Sequence, residues 1–201
     1  VKIFTAPTTA FDVSNLNSLC SNLPVTITDR SVVNGYGAVD KIDIFWNQLG
    51  APAVKQTVSN PAVNATYSNQ YTEFGTPATV PYRITVRAYN GDGCFTDASQ
   101  DISLLASPKA QLPAQAPVCQ EAPAYLLTGA GDQFNLPGSG IFSGNGVADD
   151  GTFTPTAAGP GTQVIRYTYT TLTGCTSFAE QPLVVNPTPV ISFPRSTINV
   201  L

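Results

Sequence analysis

Apolar residues recur at every second position in several segments of this 201-residue chain: PVTIT (24–28), KIDIFW (41–46), PYRITVRAY (81–89), DISLL (101–105) and VIRYTYT (164–170). A period of two marks a strand with one buried and one wetted face, and it predicts antiparallel sheets in place of helices. In KIDIFW, Ile42, Ile44 and Trp46 share one face, with Asp43 and Phe45 on the other. Trp46 reads as a core anchor that packs one sheet on its partner, with an exposed aromatic contact as the alternative. In PYRITVRAY, Tyr82, Ile84, Val86 and Ala88 oppose Arg83, Thr85, Arg87 and Tyr89. Pro and Gly break residues 50–80 into short strands or loops, which predicts a sheet edge there.

Two phrases repeat along the chain. APTTAFDVSNLNSLC is followed about a hundred residues later by ASPKAQLPAQAPVC, and NPTPVISFPRS begins the phrase a third time. YRITVRAYNGDGCFTDASQDISLL is matched by VIRYTYTTLTGCTSFAEQPLVV; in both, an alternating strand enters a Gly-containing turn, meets a Cys and continues as a second strand. The phrases predict two complete modules and the start of a third: 1–107, 108–187, and 188–201 as a linker with the first strand of a following repeat. Modules of this size hold a small sandwich core.

Composition agrees with an all-β reading, since Gly and Pro number 16 and 17 and helix-forming runs are missing. With 42% hydrophobic and 11% charged residues, the chain is not a disordered polyelectrolyte. A net charge of -4 without a basic stripe argues against nucleic acid and anionic lipid as partners. Apolar runs fall far short of the roughly 20 residues that cross a bilayer, so no direct membrane insertion is expected. VKIFTAPTTA lacks the apolar stretch of a signal peptide. Cys20, Cys94, Cys119 and Cys175 contain no CxxC pair, which argues against a zinc knuckle. Their even number suits an oxidising compartment. Three pairings, or four thiols, are open; Cys20 with Cys94 and Cys119 with Cys175 is preferred because it puts one bridge in each module.

Candidate chemistry is sparse. The absence of His removes the commonest neutral-pH base and every Ser-His-Asp or Cys-His arrangement. Asp12, Asp29, Asp40, Asp43 and Glu73 offer no local pair suited to glycoside hydrolysis. SGNGVADDG lacks the Lys-Ser/Thr ending and following helix of a phosphate loop, and GSGIFSGNG is no dinucleotide fingerprint. Asp149 and Asp150, with Asn145, are weak calcium candidates without EF-hand spacing, and Asp92 and Asp97 pose the same question in the first module. No cofactor is otherwise implied. Tyr67, Tyr71, Tyr89, Tyr167 and Tyr169 are candidate ligand-contact aromatics, able to cover the apolar face of a polysaccharide while Thr and Asn orient it. Asn64-Ala65-Thr66 is a formal glycosylation sequon.

SGNGV, GTFTPTAAGPGT, IRYTYTTLTGC and VVNPTP, in that order, resemble the immunoglobulin-like repeats of very large surface proteins of gliding and other Bacteroidetes bacteria. SLCSNLPVTITDRS, IDIFW, YRITVRAYNGDGC and DISLLASPKAQ resemble the polycystic-kidney-disease type of β-sandwich domain, although WNQLG stands at 46–50 where that family carries W-x-F-G-D-G. The resemblance implies tandem immunoglobulin-like antiparallel β-sandwiches in an extracellular, cell-surface adhesin exported by the route that serves gliding motility. Such repeats act as spacers or adhesive modules without catalysis. Their expected partners are neighbouring repeats of the same chain and a surface polysaccharide or other extracellular ligand. The alternative is a carbohydrate-binding accessory module of a secreted polysaccharide-degrading enzyme, with the chemistry elsewhere.

Overall fold

The structure is a computed structural model that describes residues 5–91 and 93–192, and in it the alternating segments become strands. The first unit contains β1 (Phe11–Val13), β2 (Val25–Asp29), β3 (Lys41–Phe45), β4 (Gln56–Ser59), β5 (Thr66–Asn69), β6 (Thr79–Asn90) and β7 (Cys94–Leu105). They form antiparallel sheets ordered β1-β2-β5 and β4-β3-β6-β7. Val25 and Ile27 from the smaller sheet join Ile42, Ile44, Ile84, Val86, Ala88, Ile102 and Leu104 from the larger one in a single core, each 3% exposed or less. Full burial of one Ile or Val contributes about 1.5–3 kcal/mol, so this interdigitated layer is the main source of cohesion. β6 and β7 form a long hairpin registered from Thr79 opposite Leu105 to Asn90 opposite Cys94. The Pro- and Gly-broken stretch supplies β4 and β5, both edge strands, as its composition predicts.

β3 ends at Phe45, one residue before the end of the apolar alternation. Asn47 explains the stop. Its side-chain oxygen accepts the Gly50 N–H at 2.9 Å and its carbonyl accepts the Ala51 N–H at 2.8 Å, closing a turn that competes with further pairing. Trp46 therefore stands on the turn, partly buried against the core.

The second unit contains β8 (Ala110–Gln111), β9 (Val118–Cys119), β10 (Tyr125–Leu126), β11 (Gly131–Asp132), β12 (Gly138–Ser143), β13 (Thr152–Phe153), the single helical turn α1 (Pro155–Ala158), β14 (Gly161–Thr171) and β15 (Thr176–Asn186). One sheet runs β12-β14-β15-β9, and the ribbons β10-β13 and β11-β8 complete the sandwich. Leu112, Leu127, Phe142, Phe153, Ile165, Leu183 and Val185 fill its core. The Gly-rich segments are structural. Gly146 has φ +76°, and a Cβ there would meet Ala158. The fold is all-β, and each of the two units holds a sandwich core.

By its contacts the chain divides into Val1–Pro108 with Thr171–Thr176, and Lys109–Thr170 with Ser177–Leu201. The tip of the β14–β15 hairpin thus groups with the first unit. Residues 187–192 carry no strand; residues 193–201, where the strand of a following repeat is expected, and Asp92 lie outside the described residues. No helix among the described residues is long and apolar enough to cross a membrane.

The preferred cysteine pairing is corrected. A disulfide joins Cys20 to Cys175, with Cα atoms 5.6 Å apart, while Cys94 and Cys119 are not disulfide-bonded. Strand length gives the reason. Cys20 bridges Leu105 at the far end of β7 from Cys94, a separation of about 37 Å at a strand's rise per residue. Cys119 sits opposite Asn186, the last residue of β15, whereas Cys175 immediately precedes its first. A disulfide tolerates no more than about 7 Å between Cα atoms.

Candidate functional site

The most constrained constellation surrounds the disulfide. Leu105 donates its N–H to the Leu19 carbonyl at 2.7 Å, and Ser21 returns an N–H to the Leu105 carbonyl at 3.0 Å, fixing Cys20 between them. Leu23 N–H then donates to the Cys20 carbonyl at 3.1 Å, turning the chain into Pro24. On the other side, Cys175 ends a turn in which its N–H donates to Thr171 Oγ1 at 3.0 Å and Thr171 N–H donates to the Cys175 carbonyl at 2.9 Å. Asn22 Nδ2 donates to the Thr176 carbonyl at 2.8 Å beside the bond. Cys20 is 5% and Cys175 0% exposed, so both cysteines are buried.

A second constellation covers the outer face of the larger sheet of unit one. Asp43 accepts hydrogen bonds from Lys55 Nζ at 2.6 Å, Thr57 Oγ1 at 2.6 Å and Tyr89 OH at 2.9 Å. Burial alone raises its pKa, but the three donors outweigh that and hold the carboxyl below its ordinary value. Tyr89 is raised by burial and by its bond to Asp43. Arg83 grips Asp101, and Arg87 grips Asp97, through paired bonds of 2.6–2.8 Å. Arg87 also lies over the Phe95 ring at 4.2 Å. These carboxylates are engaged in pairs with cations, an arrangement that binds the sheet and offers no acid–base couple for hydrolysis.

The third is an open groove of about 300 Å³ beside Trp46, Asn47, Asn69, Gln70, Tyr71 and Tyr82. Trp46 Nε1 donates to Gln56 Oε1 at 3.1 Å, which fixes the indole, and Tyr71 OH donates to the Trp46 carbonyl at 2.6 Å. The Tyr71 and Tyr82 rings lie 4.4 Å apart, tilted by 51°. Burial, first, and then the neighbouring Tyr82 push the Tyr71 phenol well above its ordinary pKa, so it stays a neutral donor. The groove thus combines aromatic surface with amides.

The predicted tyrosines do not share one face. Tyr167 (7% exposed) is a core residue, a correction to its reading as a ligand contact, because its ring packs into the sandwich interior, whereas Tyr71 (8%) packs in its core and also borders the groove. Tyr67 packs partly buried against the first core. Tyr169 packs against the second and donates its hydroxyl to the Leu136 carbonyl at 2.6 Å. Tyr89 lies on the outer face under Lys41, whose Nζ is 3.7 Å from the ring centre. Only Tyr71 reaches the groove, as its floor. Of the groove's other rings, Tyr82 was outside the predicted set and Trp46 entered only as the alternative to a core anchor, although the amide runs WNQ and NQY were the available signal. Asp150 accepts the Thr152 N–H at 2.9 Å, a turn role that keeps its carboxyl below the ordinary value. Asp149 stands beside it, and no group of three or more metal-ligating side chains occurs among the described residues.

No protein-family profile matches the chain, and no curated protein does. Among solved structures, a carbohydrate-binding module of the β-sandwich superfamily is 9% identical with a TM-score of 0.41, covering 84% of this chain and 56% of that one. The insect immune protein hemolin is 16% identical with a TM-score of 0.41, covering 92% and 48%. A part of a 1.5-MDa bacterial ice-binding adhesin is 14% identical with a TM-score of 0.35, covering 93% and 67%. The chain spans about half the length of the first two.

Proposed function

We propose that this chain is a non-catalytic, extracellular segment of a repeat array, serving as a tension-bearing spacer in a large cell-surface adhesin of the kind used in gliding motility. The observation that carries the reading is the Cys20–Cys175 bond. It closes a loop with a sequence separation of 155 residues. Tension entering from one flank passes along the chain to Cys20, crosses the two sulfurs and leaves from Cys175. Most of both sandwich cores therefore lies off the load path. Such bonds form and persist in oxidising compartments, which fits an exported protein.

Pulling single molecules by their two ends is the test. Without reductant, the extensible chain outside the loop is at most about 17 nm, against about 72 nm for the whole chain. Cys20→Ser restores the longer value. Extension near 72 nm in the unreduced protein overturns the reading.

A saccharide-binding accessory module is a second reading, favoured by the Trp46–Tyr82 groove, where rings and amides converge as a neutral sugar requires. Trp46 is the sole Trp, so its fluorescence reports the groove directly. Titration with soluble gluco-, manno- and chito-oligosaccharides should shift the emission, and Tyr82→Ala should remove the shift. An unchanged spectrum across the panel excludes this reading.

A further inference from the structure

The seat that holds Cys20 occurs twice in the chain. Cys20 opens CSNLP and Cys119 opens CQEAP, the same C-x-x-x-P spacing. Ser21 N–H donates to the Leu105 carbonyl at 3.0 Å, and Gln120 N–H to the Asn186 carbonyl at 2.9 Å. Leu23 N–H donates to the Cys20 carbonyl at 3.1 Å, and Ala122 N–H to the Cys119 carbonyl at 3.0 Å. Each cysteine pairs in parallel with the last residue of its own hairpin's second strand, Leu105 or Asn186. The backbone frame is the same in both. What covers the sulfur is not: Cys20 is buried and bonded to the Gly-Cys tip within Thr171–Thr176, whereas Cys119 is an exposed thiol. The tip also occurs twice, as NGDGC ending at Cys94 and LTGC ending at Cys175.

We propose that Cys119 is the seat for the Gly-Cys hairpin tip of another module of this type, and forms with it the bond that Cys20 forms with Cys175. The order in the chain supplies the rule, since the start cysteine of one module bonds the tip cysteine of the module that follows. By the same rule Cys94 is the tip that takes the start cysteine of a preceding module. A succession of such bonds carries the load path from module to module. Each bond forms as two thiols lose two protons and two electrons, the electrons reducing a disulfide oxidant such as oxidised glutathione to two thiols. The inference rests on the repeat-array part of the spacer reading.

The chain itself is the probe, because it carries both an exposed seat and a tip. Concentrated protein is equilibrated in a glutathione redox buffer, its thiols are blocked, and its non-reduced peptides are mapped by mass spectrometry. Intermolecular Cys119–Cys94 links should exceed Cys119–Cys119 links by at least about tenfold, equivalent to about 1.4 kcal/mol of docking preference. Cys94→Ser should leave Cys119 reduced or glutathionylated, with the Cys20–Cys175 peptide unchanged. Equal amounts of the two links, no Cys119–Cys94 link, or undiminished self-linking of Cys119 in Cys94→Ser overturns the inference while leaving the spacer reading standing. Loss of the Cys20–Cys175 peptide itself would instead remove the spacer reading.

Discussion

The carboxyl of Asp43 sits on the face that alternation assigns to solvent, yet Asp43 is fully buried. A buried charge persists when hydrogen bonds replace its hydration, and Lys55, Thr57 and Tyr89 supply three. The sign of its pH dependence follows. A carboxyl held below its ordinary value of 3.8 contributes stability that is fully present above that value and is lost as pH falls through the folded value. Asp43→Asn should lower stability by about 1–3 kcal/mol at neutral pH and flatten the decline below pH 4. Urea unfolding at a series of pH values checks this, and parallel curves for the two proteins would refute it. Sequence reasoning placed Asp43 on the correct face but missed its burial. Thr57 reaches it from β4 and Lys55 from the residue before that strand, and the Pro- and Gly-broken stretch around it gave no assignable register.

At the scale of elements, long alternation was readable and its partners were not. β6, β7, β14 and β15 follow directly from period two and the Gly-containing turns, because a half-buried strand writes its burial into every second residue. Short strands such as β9, β10 and β13 are two residues long, too short to show a period. Trp46 was legible as a core residue only in part, since the Asn47 turn rotates it to the groove instead of continuing β3. The cysteines show the limit most clearly. The repeated phrases set Cys20 and Cys119 in one kind of segment and Cys94 and Cys175 in another, but the repetition does not say which cysteine meets which. That depends on strand length, which separates Cys20 from Cys94 by the whole of β7, and on where the β14–β15 tip sits, which no local pattern encodes.

For the whole molecule under tension, the covalent connection decides what can yield. With the disulfide closed, only the segments before Cys20 and after Cys175 can extend. The first is held by β1, with three pairs to β2, and by the Thr8–Val32 bridge that continues the same register. The second is held by the eleven-residue β15, which lies between β14 and β9. Both are loaded along the strand, so their hydrogen bonds share the force, and the shorter array is the weaker. The segment ending at Cys20 should therefore release first, as a step of at most about 7 nm, and the β15 segment at higher force. Ser14→Pro removes the N–H that donates to the Thr26 carbonyl at 2.9 Å at the end of β1, and should lower the force of the first step while leaving the second unchanged. Constant-velocity pulling of the oxidised protein measures both. A first step whose force ignores this substitution would mean that β1 does not carry the load and that the weak point lies beyond the disulfide, in β15.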